Sequence, residues 1–123
     1  MINKYQQLIK TYEKIKLHGK FPAPQGYDSL LEKTYIRVGT LFRENGNLQN
    51  ALSCFKEAKK INPYNTITYE LSAKIYHTQK NYTAELDEWE YCLRLDINNK
   101  LVAKNVARLK EKIETNENSR MIP

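Results

Sequence analysis

Two cysteines, two histidines and one acidic run are the residues whose types could do chemistry in this chain. Cys54 and Cys92 do not form the closely spaced pair that metal capture or thiol exchange needs, and each falls where a helix carries a small apolar residue. They read as free, buried thiols, which suits a reducing compartment. Glu85, Asp87, Glu88 and Glu90 bring several carboxylates close together, as general acid and base work requires. That run surrounds Trp89 on an amphipathic helix, however, and is expected to face water. His18 falls in a loop and His77 on an outer helical position, where an imidazole is solvated. No glycine-rich phosphate loop, metal-ligand cluster or nucleophile-and-base spacing occurs. The sequence therefore predicts no catalytic residue, no metal, no cofactor and a non-enzymatic protein.

Charge is the next functional signal. The net value is +6 over 123 residues, and it is unevenly spread: residues 66–99 carry six acids against three cations, whereas the rest of the chain is basic. Basic charge with nine tyrosines raises nucleic-acid binding, which needs cations for phosphate and exposed aromatics for stacking. Tyr35, Tyr69, Tyr76 and Tyr82 fall at packing positions, leaving Tyr64, with Tyr27 and Tyr91 as further candidates. A basic RNA-binding accessory protein is thus the alternative reading, with nucleic acid the less favoured partner. Unlike ends could also stack head to tail, although a monomer is the base expectation. No apolar run approaches the roughly 18 residues of a membrane span, and the first seven residues lack the apolar core of a secretory signal. The expected location is cytoplasmic, where the acceptor tripeptide Asn81, Tyr82, Thr83 has no meaning for glycosylation.

The elements that must position these residues are helical. Tyr5, Leu8, Ile9, Tyr12 and Ile15 recur at helical spacing, predicting a packing helix over residues 3–18, followed by a Gly- and Pro-containing loop. Asp28 is placed to cap the next helix, whose stripe of Leu30, Leu31, Tyr35 and Val38 continues to about Glu44. Asn45, Gly46 and Asn47 form a turn in which glycine can take the left-handed conformation. A second helix runs from about Leu48 to Ile61, and Pro63 stops it.

Within residues 32–65, Gly39, Ala51, Phe55 and Pro63 stand at the spacing W-x2-L-G-x2-Y, A-x3-F, P, with Tyr35, Val38 and Phe42 at its other places. The stretch resembles the tetratricopeptide repeat, which spans about 34 residues. A shift by 34 positions puts Tyr35 on Tyr69, Phe42 on Tyr76, Phe55 on Trp89 and Ala58 on Cys92, so residues 66–99 form a second, degenerate repeat. Its departures are Ser72, Ala73, Glu85 and Ile97. Glu85 replaces the alanine at the closest helix approach, and its carboxylate is expected to be displaced toward solvent, with Ala84 and Leu86 sharing the contact. From Lys100, a stripe of Val102, Val106, Leu109 and Ile113 resembles the helix that caps such arrays.

The resemblance implies an all-α fold, an α-solenoid built as a right-handed superhelix of antiparallel helix pairs in one domain. Its parts are an N-terminal packing helix and loop (1–31), repeat 1 (32–65), repeat 2 (66–99), a capping helix (100–115) and a flexible tail (116–123). It also implies a protein–protein interaction scaffold whose first helices line a groove. Carried over residue by residue, that groove comprises Lys33, Ile36, Thr40 and Arg43, then Ile67, Glu70, Lys74 and His77, then Lys104 and Arg108. The surface is mostly cationic, so the expected partner is a protein or peptide segment with acidic residues. The chaperone-type carboxylate clamp is missing, because Ile36, Thr40, Leu71, Leu101 and Asn105 occupy its places.

Overall fold

The computed structural model describes residues 6, 7, 9–11 and 27–121. Residues 6, 7 and 9–11 are helical and are labelled α1. They are followed by α2 (Tyr27–Glu44), α3 (Leu48–Ile61), α4 (Thr66–Thr78), α5 (Tyr82–Leu95) and α6 (Lys100–Met121). The fold is all-helical, with no strand among the described residues. None of these helices is long and apolar enough to cross a membrane. Tyr5, Leu8, Tyr12, Ile15 and the loop with His18 lie outside the described residues. The chain divides into two compact units, Met1–Thr68 and Tyr69–Pro123.

The first unit is organised by the α2–α3 hairpin. Ala51, Phe55 and Ala58 recur on one stripe of α3 and are completely buried. Gly39 of α2 lies directly over Phe55: a Cβ added there would stand 2.6 Å from Phe55 Cε1. Only glycine permits so close an approach without moving the ring. Ile9, Leu31, Tyr35, Val38 and Ala58 form one buried cluster, with Ile36, Phe42, Cys54 and Ile61 packed against it. Burying a Phe or Val side chain contributes roughly 1.5–3 kcal/mol, so these few residues dominate the unit's stability. Glu32, also buried, accepts hydrogen bonds from Asn62 Nδ2 at 3.4 Å and Asn65 Nδ2 at 2.9 Å. It thereby ties the start of α2 to the turn that leaves α3.

Two features of this unit depart from the sequence reading. Asp28 lies inside α2, which starts at Tyr27, rather than at a cap before it. Cys54 is only half-buried.

The second unit packs α5 against α6 and the body of α4 around Tyr69, Ala73, Trp89, Cys92, Val102, Val106 and Leu109. The α6 stripe is as the periodicity predicts, with Ile113 half-buried at its end. The helix itself continues to Met121, past the expected boundary at residue 115. Helical hydrogen bonding along the backbone does not require an apolar stripe, which is why periodicity stops before the helix does.

The turns of the two hairpins match one for one under the 34-position shift. In the first, Gly46 N–H donates to Arg43 O at 3.0 Å and Asn47 N–H to Phe42 O at 2.8 Å; in the second, Lys80 N–H donates to His77 O at 3.0 Å and Asn81 N–H to Tyr76 O at 2.9 Å. This is the Schellman pattern, which needs a left-handed residue after the helix. Gly46 takes it at φ 83° and Lys80 at φ 58°. The exits match too, with Asn62 N–H donating to Ala58 O and Asp96 N–H to Cys92 O. Asn62 and Asp96 each accept from the backbone N–H two residues on, at Tyr64 and Asn98.

Two stability predictions follow from these contacts. Gly39→Ala should lower the urea midpoint, because overpacking against an enclosed ring costs about 1–3 kcal/mol and exceeds the roughly 1 kcal/mol of helix propensity that alanine gains. Adding Phe55→Leu should recover part of the loss, and a stabilised single variant would refute the close-packing account. Lys80→Gly should stabilise by about 0.5–1 kcal/mol, read as a higher urea midpoint, since a side chain in the left-handed region costs roughly 1–2 kcal/mol before the entropy of glycine offsets it.

Candidate functional site

The residues expected to line a binding surface fall on one stripe of each helix that bears them. On α2, Lys33 is exposed while Ile36, Thr40 and Arg43 are half-buried. Ile36 packs against the core cluster, and the Thr40 hydroxyl donates to its own helix at Ile36 O, 2.8 Å away. Neither is available as a primary contact, so the accessible part of this stripe is its cationic ends. The reason is visible in the packing: Ile36 is next to Tyr35 in sequence and overhangs the same cluster.

On α4, Ile67 and Lys74 are exposed and Glu70 is half-buried. Ile67 is 53% exposed and is the most accessible apolar residue of the expected set. On α6, Lys104 and Arg108 are exposed one turn apart. Among the described residues no carboxylate lies within ion-pair distance of Lys74, Lys104 or Arg108. Their charge is therefore open to solvent or to a partner.

His77 is exposed, as its position predicts, but its ring is also held by neighbours. Its Nδ1 lies 3.1 Å from Glu85 Oε1, within hydrogen-bond distance, and the tautomer protonated at Nδ1 is the one that donates to an ionised carboxylate there. The ring also meets Tyr82 edge-on, with centroids 6.4 Å apart. Glu85 is almost completely buried, contrary to the expected displacement toward solvent and to the outward reading of the acidic run. Its other oxygen accepts from Trp89 Nε1 at 3.0 Å. A buried indole N–H needs an acceptor, and Glu85 sits one helical turn before Trp89 on the same face. The spacing was therefore legible in the sequence; what hid it was the alanine that the repeat pattern places there.

The arrangement of His77 and Glu85 orients an imidazole, as base catalysis requires, but no hydroxyl or thiol is hydrogen-bonded to His77 among the described residues. Burial and the nearby Glu57 push the Cys54 thiol up to about 11, so little thiolate exists at neutral pH. Neither Cys54 nor Cys92 is in a disulfide. No group of three or more metal-ligating side chains occurs among the described residues.

Aromatic placement also separates from the sequence reading. Tyr64 is exposed, as expected of a residue outside the packing pattern. Tyr91, counted with it, instead stacks on Tyr69 with centroids 4.3 Å apart and planes at 16°. Burial and then the hydrogen bond with Tyr91 raise the Tyr69 phenol well above its ordinary value. Tyr76 is raised as well, by burial and then by Glu88. These phenols stay neutral and act as packing groups.

No protein-family model matches the sequence, and a search of curated proteins finds no match.

The buried carboxylate generates a test. Glu85→Ala should destabilise by about 1–3 kcal/mol, because it strands the Trp89 N–H even though it restores a small residue at the helix contact. Trp89→Phe introduced into that variant should then cost less than it does alone. Denaturation of the four proteins of the cycle should give a coupling above about 0.5 kcal/mol, and additive effects would show that the hydrogen bond contributes nothing.

Proposed function

We propose that this chain is a tetratricopeptide-like helical-repeat protein, a non-enzymatic interaction module that holds an acidic peptide segment of a partner protein. The observation that carries the reading is the duplicated hairpin: α2–α3 and α4–α5 share their turn hydrogen bonds, their left-handed turn residue and their exits at a 34-position shift. That period, with Gly39 and Ala51 at the hairpin contact and Pro63 after it, supports a solenoid of antiparallel pairs closed by α6. In such an array the first helices of successive repeats present the binding residues.

The partner's chemistry follows from what is left accessible. Lys33, Arg43, Lys74, Lys104 and Arg108 supply positive charge, while Ile67 is the apolar contact in place of the partly covered Ile36. Exposed ion pairs contribute little each, about 0.2–1 kcal/mol, so the cations mainly speed encounter and the apolar contact sets residence time. Engagement of Tyr69, Tyr82 and Tyr91 in the packing of the second unit leaves few aromatic platforms for single-stranded RNA, which makes that partner the weaker alternative.

Placing a photo-crosslinker at Lys74 in native extract should capture a protein whose recovery survives ribonuclease. Reversing Lys104 and Arg108 to Glu should lower capture several-fold and flatten its salt dependence, and Ile67→Ser should shorten the lifetime of the complex. Capture of RNA alone, or capture indifferent to all three changes, would overturn the proposal.

A further inference from the structure

A cleft of about 410 Å³ opens between α5 and α6, lined by Glu90, Leu93, Arg94, Ile97, Val106 and Lys110. It belongs wholly to the second unit and involves none of the faces considered above. Its apolar lining is Leu93, Val106 and an Ile97 that is 75% exposed to water. Exposing a large aliphatic side chain to that degree forfeits burial that an occupant could supply.

The charged rim is asymmetric. Lys110 Nζ lies 3.8 Å from Glu90 Oε1, so these two charges largely offset one another. Arg94 has no carboxylate partner among the described residues. Its guanidinium carbon instead sits 4.9 Å from the centroid of the Tyr91 ring. Tyr69 stacks on the same Tyr91 ring, with centroids 4.3 Å apart. Tyr69 belongs to the buried core of the unit. The result is a stack of core tyrosine, second tyrosine and guanidinium that restricts the arginine before anything binds. A stacked guanidinium spends its face and keeps its N–H edge, which matches a carboxylate bidentately. Preorganising that edge lowers the entropic cost of binding.

We propose that this cleft is a second docking site, one that takes an acidic side chain of a peptide segment flanked by apolar side chains, the carboxylate on Arg94 and an apolar neighbour against Leu93, Ile97 and Val106. Charge complementarity selects the occupant: with Glu90 and Lys110 offset, one cation remains and it matches one carboxylate. The site is independent of the α2, α4 and α6 faces assigned to the partner above.

The probe is a fluorescein-labelled, amidated short peptide with one glutamate between two leucines, titrated against the full chain by fluorescence polarisation, with amide chemical shifts of the protein as the second readout. It should bind about tenfold more tightly than its glutamine twin, as expected of a charge-assisted bidentate contact, and should shift the amides around residues 90–97 and 106–110. Arg94→Gln should erase the difference between the twins, and Arg94→Lys should not restore it, since lysine lacks the planar fork. Ile97→Ser should weaken both twins. Arg94 and Ile97 are exposed, so these variants should fold, which circular dichroism checks. The Lys104, Arg108 reversal should leave the specific preference for glutamate intact, so failure here and failure of the first binding reading are separable. Equal binding of the twins to the wild-type chain, or an undiminished preference in Arg94→Gln, would overturn the proposal. Tighter binding of a glutamine peptide ending in a free leucine carboxylate would overturn the assignment to an acidic side chain.

Discussion

The close approach of Gly39 to Phe55 is the contact on which the first hairpin depends. Two helices can bury a phenylalanine between them only if the opposing backbone offers no side chain of its own, and Gly39 supplies that space while Ala51 and Ala58 keep the rest of the seam narrow. Helix propensity opposes the choice, since glycine is among the least favourable residues for a helix interior. Packing wins because the buried ring contributes more than the propensity loses. Once the seam is set, Tyr35, Val38 and Leu31 face one cluster together, and Glu32 is brought to the amides of Asn62 and Asn65.

The second hairpin solves the same packing problem with different residues. Ala73 stands in the glycine position and Trp89 in the phenylalanine position, and both are buried. A larger ring with a polar edge then needs an acceptor, and Glu85 meets that need from a position where the first hairpin has only Ala51. The buried acid recruits His77 in turn, so one substitution of a small residue carries a three-residue polar cluster with it. Meanwhile the backbone of the turn is unchanged, including a left-handed residue that is lysine rather than glycine. Conservation of backbone hydrogen bonding through changed side chains is what marks the two hairpins as equivalent units.

Electrostatics divides between inward and outward uses. Glu32 and Glu85 are buried and hydrogen-bonded, so their charge serves the fold. Many of the cations stay on the surface, and Arg94 is held in place by an aromatic stack that reaches into the core. Interior acids and exterior bases leave the accessible surface more positive than the composition alone conveys, which is the physical basis for expecting an anionic partner.

By itself the sequence determined the helices and their pairing. Apolar spacing near 3.6 residues, Gly46 in the turn and Pro63 after α3 fix where helices run and stop, and these signals are local. The tertiary structure alone decided how polar residues are used. Whether Glu85 is displaced or buried depends on the polar edge of the ring one turn along its own helix, and whether Ile36 is open to a partner or part of the core depends on what lies over its neighbours. Tyr91 reads as an unengaged tyrosine until its stack on Tyr69 is seen, because stacking joins residues on two helices at a separation that periodicity does not encode. Helix formation is a property of neighbouring residues, whereas burial and pairing of a side chain are properties of everything packed around it.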